Sequence, residues 1–177
     1  MLSGEFAVTL DDMGRISLPR RLRDIVEKSK IVLLKGADPC LWLYTADQWE
    51  TREQAIIDAN RENPFSSNGR RMRQHFIGSM QPVDIDKQGR ILVPPTLREY
   101  AGLSKECLVM GQYDYIEIWA EDRYKQYLEA TEEDFRAGLE KLSIPRANGK
   151  DLGDGGNSTY PGAAGADAGV SGPEGEG

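Results

Sequence analysis

The chain has 177 residues and a formal net charge of −7. This length allows one ordinary hydrophobic core or two small ones, and no apolar run approaches the roughly 20 residues that a membrane-spanning helix needs. The first residues, Met1 to Glu5, lack the basic and then apolar stretch of an export signal. The sequence therefore argues against a membrane or exported protein and predicts a cytoplasmic one.

The acidic excess is concentrated at the C-terminus. From Ala147 onward, Lys150 stands against five acidic residues: Asp151, Asp154, Asp167, Glu174 and Glu176. The remaining body is only weakly acidic, and such a body can bind DNA if its cations cluster on one face. The basic residues fall into three groups, which are Arg15, Arg20, Arg21 and Arg23, then Arg70, Arg71 and Arg73, and then Lys87, Arg90 and Arg98.

One motif occurs twice in the chain. Asp11-Asp12-Met13-Gly14-Arg15 returns as Asp86-Lys87-Gln88-Gly89-Arg90, and an ungapped comparison of positions 8–49 with positions 83–124 gives thirteen identities, among them Leu33 with Leu108. A single copy is too short to bury a stable core. We therefore expect the two copies to need each other.

The first elements along the chain are a strand, a turn and a second strand. Residues 6–10 alternate between apolar and polar side chains, and 15–18 resume the alternation after the Asp-rich turn, so the pattern predicts a hairpin. Gly14 stands where the turn requires positive φ, and the Asp11 carboxylate can accept backbone N–H groups across it. Residues 83–85 and 90–93 predict the same hairpin around Gly89.

Each hairpin precedes a short helix and then two more strands. Pro19 and Pro94 stand where a first helical turn tolerates proline. The strands predicted after these helices are 31–34 and 41–44 in the first copy, and 107–110 and 115–119 in the second. Each repeat is thus predicted to run hairpin, helix, hairpin.

Helices are predicted between the repeats and after the second one. Ser66 or Ser67 can cap a helix in the connector. The last helix carries an apolar stripe whose spacing favours packing in the core, although packing against another subunit also fits: Tyr124, Tyr127, Leu128, Phe135, Leu139 and Leu142. From about Ala147 the chain has almost no large apolar residues, which predicts a disordered tail.

Catalytic chemistry is poorly supported by the residues present. His75 is the only histidine and is interpreted as a partly buried helix residue, and Cys40 and Cys107 as buried thiols without metal-ligand spacing. No phosphate-binding loop or paired carboxylates stand out. We expect no enzyme activity, no metal and no cofactor, and a composite site of distant residues is the weakest alternative.

The two Asp-x-x-x-Arg turns admit two interpretations. In the structural one, Asp and Gly form a good turn and Arg pairs with Asp to hold it. In the functional one, Asp11 and Asp86 orient the guanidinium groups of Arg15 and Arg90 toward phosphate or toward guanine O6 and N7. Gly14 and Gly89 form the bend under either interpretation.

The motifs also carry a family resemblance. The segments 4–6 and 10–19, followed by 86–94 and 97–103, resemble the MraZ family of bacterial transcriptional regulators. The resemblance implies an α+β fold of two interlocked AbrB-like swapped-hairpin repeats, which form a β-barrel with flanking helices. It also implies that Asp11 with Arg15, and Asp86 with Arg90, contact DNA.

The resemblance extends to domain limits and biology. It implies a first AbrB-like domain at 5–47, a helical connector at 48–79, a second domain at 80–123 and a C-terminal helix at 124–146. The predicted disordered, Gly-rich acidic tail at 147–177 is an addition to the part that resembles the family. Family members form ring-shaped homo-oligomers on the nucleoid, bind short direct repeats of double-stranded DNA and usually repress the division and cell-wall gene cluster that includes their own gene. The expected partners are thus DNA and further copies of the chain, with no membrane and no small-molecule substrate.

The remaining expectations concern individual charges. Lys87, Arg20, Arg21 and Arg23 are expected to position the DNA backbone. Met13 replaces a basic residue common in this turn of the family, so the second turn, with Lys87, is expected to bind phosphate more strongly than the first. An oligomeric protein that acts on a protein partner instead of DNA is the alternative function.

Overall fold

The computed structural model describes residues 1–61, 63 and 66–142. Residues Met1–Leu139 form one compact unit, and a second unit begins at Glu140. The predicted disordered tail at 147–177 lies outside the described residues. The elements in chain order are β1 (Leu2–Thr9), β2 (Arg15–Ser17), α1 (Arg20–Val26), β3 (Ile31–Lys35), β4 (Leu41–Thr45), α2 (Ala46–Ala59), α3 (Ser67–His75), a 3-10 turn (Ile77–Ser79), β5 (Gln81–Val83), β6 (Arg90–Leu92), α4 (Pro95–Ala101), β7 (Glu106–Tyr113), β8 (Tyr115–Ala120) and α5 (Glu121–Lys141).

Six of these strands form an antiparallel sheet in the order β1-β7-β8-β4-β3-β5, and β2 and β6 form a separate two-stranded ribbon. Because the first repeat supplies β1 to β4 and the second supplies β5 to β8, the sheet order reads the same from either edge once repeats are exchanged. Trp42 pairs with Glu117 at the centre of the sheet, and Ile16 pairs with Ile91 at the centre of the ribbon. Both pairs join equivalent positions, so a pseudo-two-fold axis relates the repeats.

The two repeats are interlocked through exchanged strands. The predicted hairpins around Gly14 and Gly89 are each reduced to a single bridge, Leu10 with Ile16 and Ile85 with Ile91. The second predicted hairpin of each repeat is confirmed, since β3 pairs with β4 and β7 with β8. Beyond those bridges β1 lies along β7 and β2 along β6. The prediction that β1 pairs with β2, and β5 with β6, along their length was therefore wrong. An alternating pattern suits a neighbouring strand from either repeat equally well. The mixed α+β class and the interlocking of the repeats are confirmed.

The ungapped comparison of the repeats misplaces one strand. Val8 pairs with Cys107, and its equivalent Val83 pairs with Ile31, so Ile31 corresponds to Cys107, one position later than the comparison places it. The match of Leu33 with Leu108 is consequently wrong: Leu33 lies in the central core and Leu108 in a cluster on the other face of the sheet. A one-residue slip moves a side chain to the opposite face of a strand, which explains the difference.

A single core connects the ribbon, the sheet and the helices α1 and α4. Its fully buried members come from both repeats and include Ile16, Leu22, Leu33, Leu41, Leu43, Ile91, Leu97, Val109, Ile116 and Ile118. Burial of each such side chain stabilises the fold by about 1.5–3 kcal/mol. Since β2 and β6 contribute Ile16 and Ile91 to this core, the ribbon is fixed rigidly on the body of the protein.

The helices outside this core confirm one prediction, the cap of α3, and contradict another, the burial of the apolar stripe on α5. Ser66 caps α3 by accepting the Gly69 N–H at 3.0 Å, as predicted. On α5, Tyr124 and Tyr127 pack against Trp119, but the rest of the stripe, Leu128, Phe135, Leu139 and Leu142, is exposed. The core interpretation of this stripe was therefore wrong beyond its first turns. Within the described residues, no helix has both the length and the apolar character to cross a membrane.

Candidate nucleic-acid interface

The first turn is held by one carboxylate. Asp11 Oδ1 accepts the backbone N–H groups of Met13 at 3.0 Å and Arg15 at 2.8 Å, and Asp11 Oδ2 accepts Nε of Arg15 at 2.8 Å. Gly14 has a φ of 79°, in the left-handed region that favours glycine. The carboxylate therefore fixes the turn and the direction of the Arg15 side chain at the same time.

The second turn repeats this arrangement around Asp86. Its Oδ1 accepts the backbone N–H groups of Gln88 at 2.8 Å and Arg90 at 3.0 Å, and Gly89 also has a φ of 79°. Oδ2 lies 2.8 Å from both Nε and Nη2 of Arg90. The guanidinium of Arg90 is thus held by two of its nitrogens, and its side chain is 24% exposed, against 34% for Arg15.

The hydrogen bonds to each carboxylate lower its pKa. For Asp86 the guanidinium of Arg90 is the largest cause, followed by the Arg90 backbone N–H, and together they lower the pKa to about 2. For Asp11 the Arg15 backbone N–H is the largest cause of the lowered pKa, and the guanidinium adds to it. Both carboxylates are therefore ionised, and both arginines firmly oriented, at neutral pH.

The ribbon places both arginines on one outward face. In its register Arg15 pairs with Leu92, Ile16 with Ile91 and Ser17 with Arg90. Side chains alternate between the two faces of a strand, and Ile16 and Ile91 are fully buried. The side chains of the middle pair therefore point into the core, and those of the two outer pairs point outward. The outward face carries Arg15, Ser17, Arg90 and Leu92. Diagonal neighbours of this kind lie about 7–8 Å apart, which applies to Arg15 and Arg90.

Each turn is also covered by an arginine of the other repeat. A Cβ built on Gly89 would collide with the Arg23 guanidinium, whose Cζ lies 2.9 Å away, and a Cβ on Gly14 would lie 2.7 Å from Cζ of Arg98. Backbone hydrogen bonds complete the exchange, since Leu18 N–H donates to Gly89 O and Val93 N–H to Gly14 O, both at 2.9 Å. The motif of one repeat is thus completed by the helix of the other.

The contact of α1 with the second turn brings basic side chains together there. A cleft of about 520 Å³ runs between α1 and the turn and contains Arg23, Lys28 and Lys87 together with Glu27 and Asp86. Of the other predicted phosphate contacts, Arg20 is 85% exposed beside Asp24, and Arg21 donates to Ser3 Oγ at 3.2 Å. The structure therefore brings Arg23 and Lys87 together and places Arg20 and Arg21 outside this cleft.

The residues considered for catalysis, one histidine and two cysteines, are packed as parts of the fold. His75 is partly buried, and its Nε2 donates to the Gly36 carbonyl at 2.7 Å, as expected for a helix residue packed on the body. Cys40 and Cys107 are buried free thiols, which confirms that prediction. Burial raises the pKa of both thiols, that of Cys107 to about 11. Within the described part of the chain, no group of three or more His, Cys, Asp and Glu residues could hold a metal ion.

Three residues of the candidate interface, Ser17, Leu92 and Lys28, were missed from the sequence, and Arg98 was counted among the clustered basic residues but not assigned to the first turn. Ser17 and Leu92 share the outward face with the arginines, Arg98 covers the first turn, and Lys28 lies in the cleft. The period-2 alternation of 15–17 and 90–92 contains the signal for Ser17 and Leu92, once the two strands are known to pair. Arg98 and Lys28 depend on contacts between elements, which no local pattern reveals.

The fold and the site together define a class of protein: a tandem α+β repeat in which two exchanged strands form a rigid ribbon with a pair of carboxylate-held arginines. The family model described as "MraZ protein, putative antitoxin-like" matches residues 1–71 and 76–143. The chain belongs to the MraZ family.

Curated relatives agree with this assignment. The chain is 39% identical to a transcriptional regulator MraZ of Treponema pallidum (strain Nichols) over 140 residues, 79% of this chain and 93% of that protein. It is 37% identical to the protein of that name from Moorella thermoacetica over 143 residues, 80% and 96% of the two chains. A third, from Corynebacterium urealyticum, is 38% identical over 138 residues, 78% and 94% of the two chains. This membership places the chain among transcriptional regulators.

Proposed function

We propose that the chain is a sequence-specific DNA-binding regulator that contacts the major groove with the ribbon β2–β6. The observation that carries the proposal is the outward ribbon face, where Arg15 and Arg90 are each held by the carboxylate of their own turn on a rigid base. The major groove of B-DNA admits a two-stranded ribbon. The backbone positions of the two arginines, about 7–8 Å apart, span about two base-pair steps of roughly 3.4 Å.

The residues of the site divide into four roles. Arg15 and Arg90 contact bases or phosphates, and Asp11 and Asp86 orient them through the Nε hydrogen bonds. Lys87, Arg20, Arg21 and Arg23 contact the DNA backbone and set the position of the ribbon. Gly14 and Gly89 allow the tight bends that bring each arginine to the start of its strand.

The proposed regulatory target is inferred from the family resemblance. We infer that the chain represses the division and cell-wall gene cluster that includes its own gene, and that it acts in the cytoplasm on the nucleoid. Short direct repeats upstream of that cluster are the proposed binding sites, and a ring of several chains binds several repeats at once. Such linked binding raises the overall affinity without any new type of contact. The function requires no cofactor and no enzymatic step.

Binding to the DNA upstream of the chain's own gene tests the proposal. Affinity is measured at several salt concentrations for the wild type and for Arg15→Ala with Arg90→Ala, and subunit number is followed by light scattering. We expect tight binding with a slope of about −0.9 per phosphate contact in log affinity against log salt. The double variant is expected to bind at least about 30-fold more weakly, since each of the two specific base contacts contributes about 1–3 kcal/mol.

Arg136→Ala is the matched control. Arg136 lies on α5 and pairs with Glu132 at 2.7 Å, the same kind of ion pair four residues apart, but away from the ribbon. This variant is expected to bind like the wild type. If the double variant kept both wild-type affinity and wild-type subunit number, the assigned role of the arginines would be wrong. If its subunit number fell instead, their role would be structural.

An oligomeric protein that acts on a protein partner is the second candidate function. The exposed apolar side chains of α5, Leu128 at 47%, Phe135 at 60% and Leu139 at 42%, favour it, because adjacent exposed apolar groups often mark contact sites. The salt titration separates the two functions. A chain that acts on a protein would show only the weak, sequence-independent DNA binding of a basic patch.

A further inference from the structure

Leu92 is the one large apolar side chain on the outward ribbon face. It is 56% exposed and belongs to none of the hydrophobic clusters of the described residues, whereas its neighbours Ile91 and Val93 are fully buried. It lies directly opposite Arg15 across the ribbon. An exposed leucine beside an oriented arginine contributes little to folding but is available to a bound molecule.

The pseudo-two-fold axis makes the two halves of this face comparable. It exchanges Arg15 with Arg90, which are identical, and Ser17 with Leu92, which are not. In the turns it exchanges Asp12 with Lys87 and Met13 with Gln88. A ribbon with equal arginines and unequal neighbours presents the same central contacts to both halves of a DNA site and different contacts beside them.

The chemical difference between leucine and serine corresponds to a difference between base pairs. In the major groove only thymine carries a C5-methyl group, which apolar side chains contact, whereas a serine hydroxyl bonds donors or acceptors of several bases. The half of the face with Arg15 and Leu92 is therefore suited to a thymine next to the base pair that Arg15 contacts. The half with Arg90 and Ser17 lacks this preference.

We propose that Leu92 is a specificity-determining residue that contacts a thymine C5-methyl group and thereby gives the bound DNA site a direction. The inference depends on the proposed DNA-binding function and extends it. A ribbon with exact two-fold symmetry would bind a palindrome, whereas the unequal pair Ser17 and Leu92 selects a site whose two halves differ. A directional site is the kind that can be repeated head to tail.

The test uses the full-length chain and a library of randomised 20-bp duplexes. Sites bound by the wild type are selected, and each thymine in the preferred duplex is then replaced by deoxyuridine, which lacks only the C5-methyl group. At one position we expect the replacement to weaken wild-type binding about fourfold, the factor for burial of one methyl-sized apolar group. The variant Leu92→Ser, which copies the opposite half, should bind both duplexes equally.

Ser17→Leu is the reciprocal variant. It should create a second thymine-sensitive position on the other side of the site, and the sites selected by Leu92→Ser should be closer to palindromes than those of the wild type. Both positions are exposed, so both variants should keep the wild-type urea midpoint. Unfolding by urea verifies this for each variant before binding is compared.

Three results would overturn the inference. They are the absence of a thymine-sensitive position in the wild type, the persistence of one in Leu92→Ser, and a changed subunit number in Leu92→Ser, which would make Leu92 a contact between copies. Failure of the proposed function has a different signature. In that case the wild type would select no preferred sequence from the library at all, and both proposals would fall together.

Discussion

Arg23 lies against Gly89, so that an arginine from the helix of the first repeat covers the glycine in the turn of the second. The reciprocal contact joins Arg98 to Gly14. Each turn therefore depends for its shape on a side chain that is distant in sequence, and neither copy of the motif is complete within its own repeat.

Gly89→Ala should lower the free energy of unfolding by about 2–3 kcal/mol. Alanine is strained at a φ of 79°, and its Cβ would collide with the Arg23 guanidinium. Urea unfolding measures the effect. Gly138→Ala is the control: Gly138 lies in α5 with nothing within 4 Å of an added Cβ, so alanine there should stabilise the helix by about 0.5–1 kcal/mol. Equal midpoints for the two variants would contradict the assigned geometry.

Ile91→Ala and Leu92→Ala should have very different effects on the free energy of unfolding, although the two residues are adjacent. Ile91 is fully buried at the centre of the ribbon, so its truncation should cost about 2–5 kcal/mol. Leu92 faces outward, and its truncation should change the free energy of unfolding by less than about 0.5 kcal/mol. Denaturant unfolding of the pair checks the register of β2 with β6. A large loss for Leu92→Ala would mean that the ribbon is shifted by one residue.

The Asp86 carboxylate should titrate near pH 2. Its pKa is lowered from 3.8 to about 2, chiefly by the Arg90 guanidinium. The stability from this pairing is therefore fully present above about pH 4, where the carboxylate is ionised in both states, and is lost as the pH falls through about 2. A carboxyl-carbon NMR titration measures the midpoint. In Arg90→Gln the midpoint should move back toward 3.8, and a wild-type midpoint already at 3.8 would disprove the link.

Asp12→Lys should strengthen DNA binding and steepen its salt dependence. Asp12 occupies the position that Lys87 holds in the second turn, so the change gives both turns a cation. One added phosphate contact raises the magnitude of the salt slope by about 1, and Lys87→Ala should lower it by about the same amount. Anisotropy titrations at several salt concentrations measure both.

Glu133→Lys is the control for net charge. It makes the same change in charge on an exposed position of α5. If it steepened the slope as much as Asp12→Lys does, the effect would come from the overall charge of the chain and not from the turn.

Much of the architecture could be predicted from local patterns. Strands 31–34, 41–44, 107–110 and 115–119 fall inside β3, β4, β7 and β8, because runs of apolar and β-branched residues between turn signals suit half-buried strands. The hydrogen bonds of Asp11 and Asp86 were also predicted from a local pattern, because a carboxylate near a Gly bend can accept hydrogen bonds from nearby backbone N–H groups.

The partners of these elements could not be derived in the same way. Nothing in the alternation of 6–10 specifies β7 over β2 as the neighbour of β1, and only the family resemblance implied the exchange. The partner of the apolar stripe on α5 could not be predicted either. Tyr127 packs against Trp119, whereas Phe135 belongs to no hydrophobic cluster of the described residues and is 60% exposed. A periodic pattern predicts that a face is apolar but not what covers it.

The strand order has a final consequence for folding. Within the described part of the chain, four of the six strand pairings join one repeat to the other: β1 with β7, β2 with β6, β3 with β5 and β4 with β8. In two separate half-length chains these pairings would be bimolecular, and their formation would depend on protein concentration. A covalent connection between the halves replaces that dependence with a fixed effective concentration, on the order of millimolar for a short linker. Dilution can therefore separate whole chains from one another, but it cannot separate the two halves of one chain.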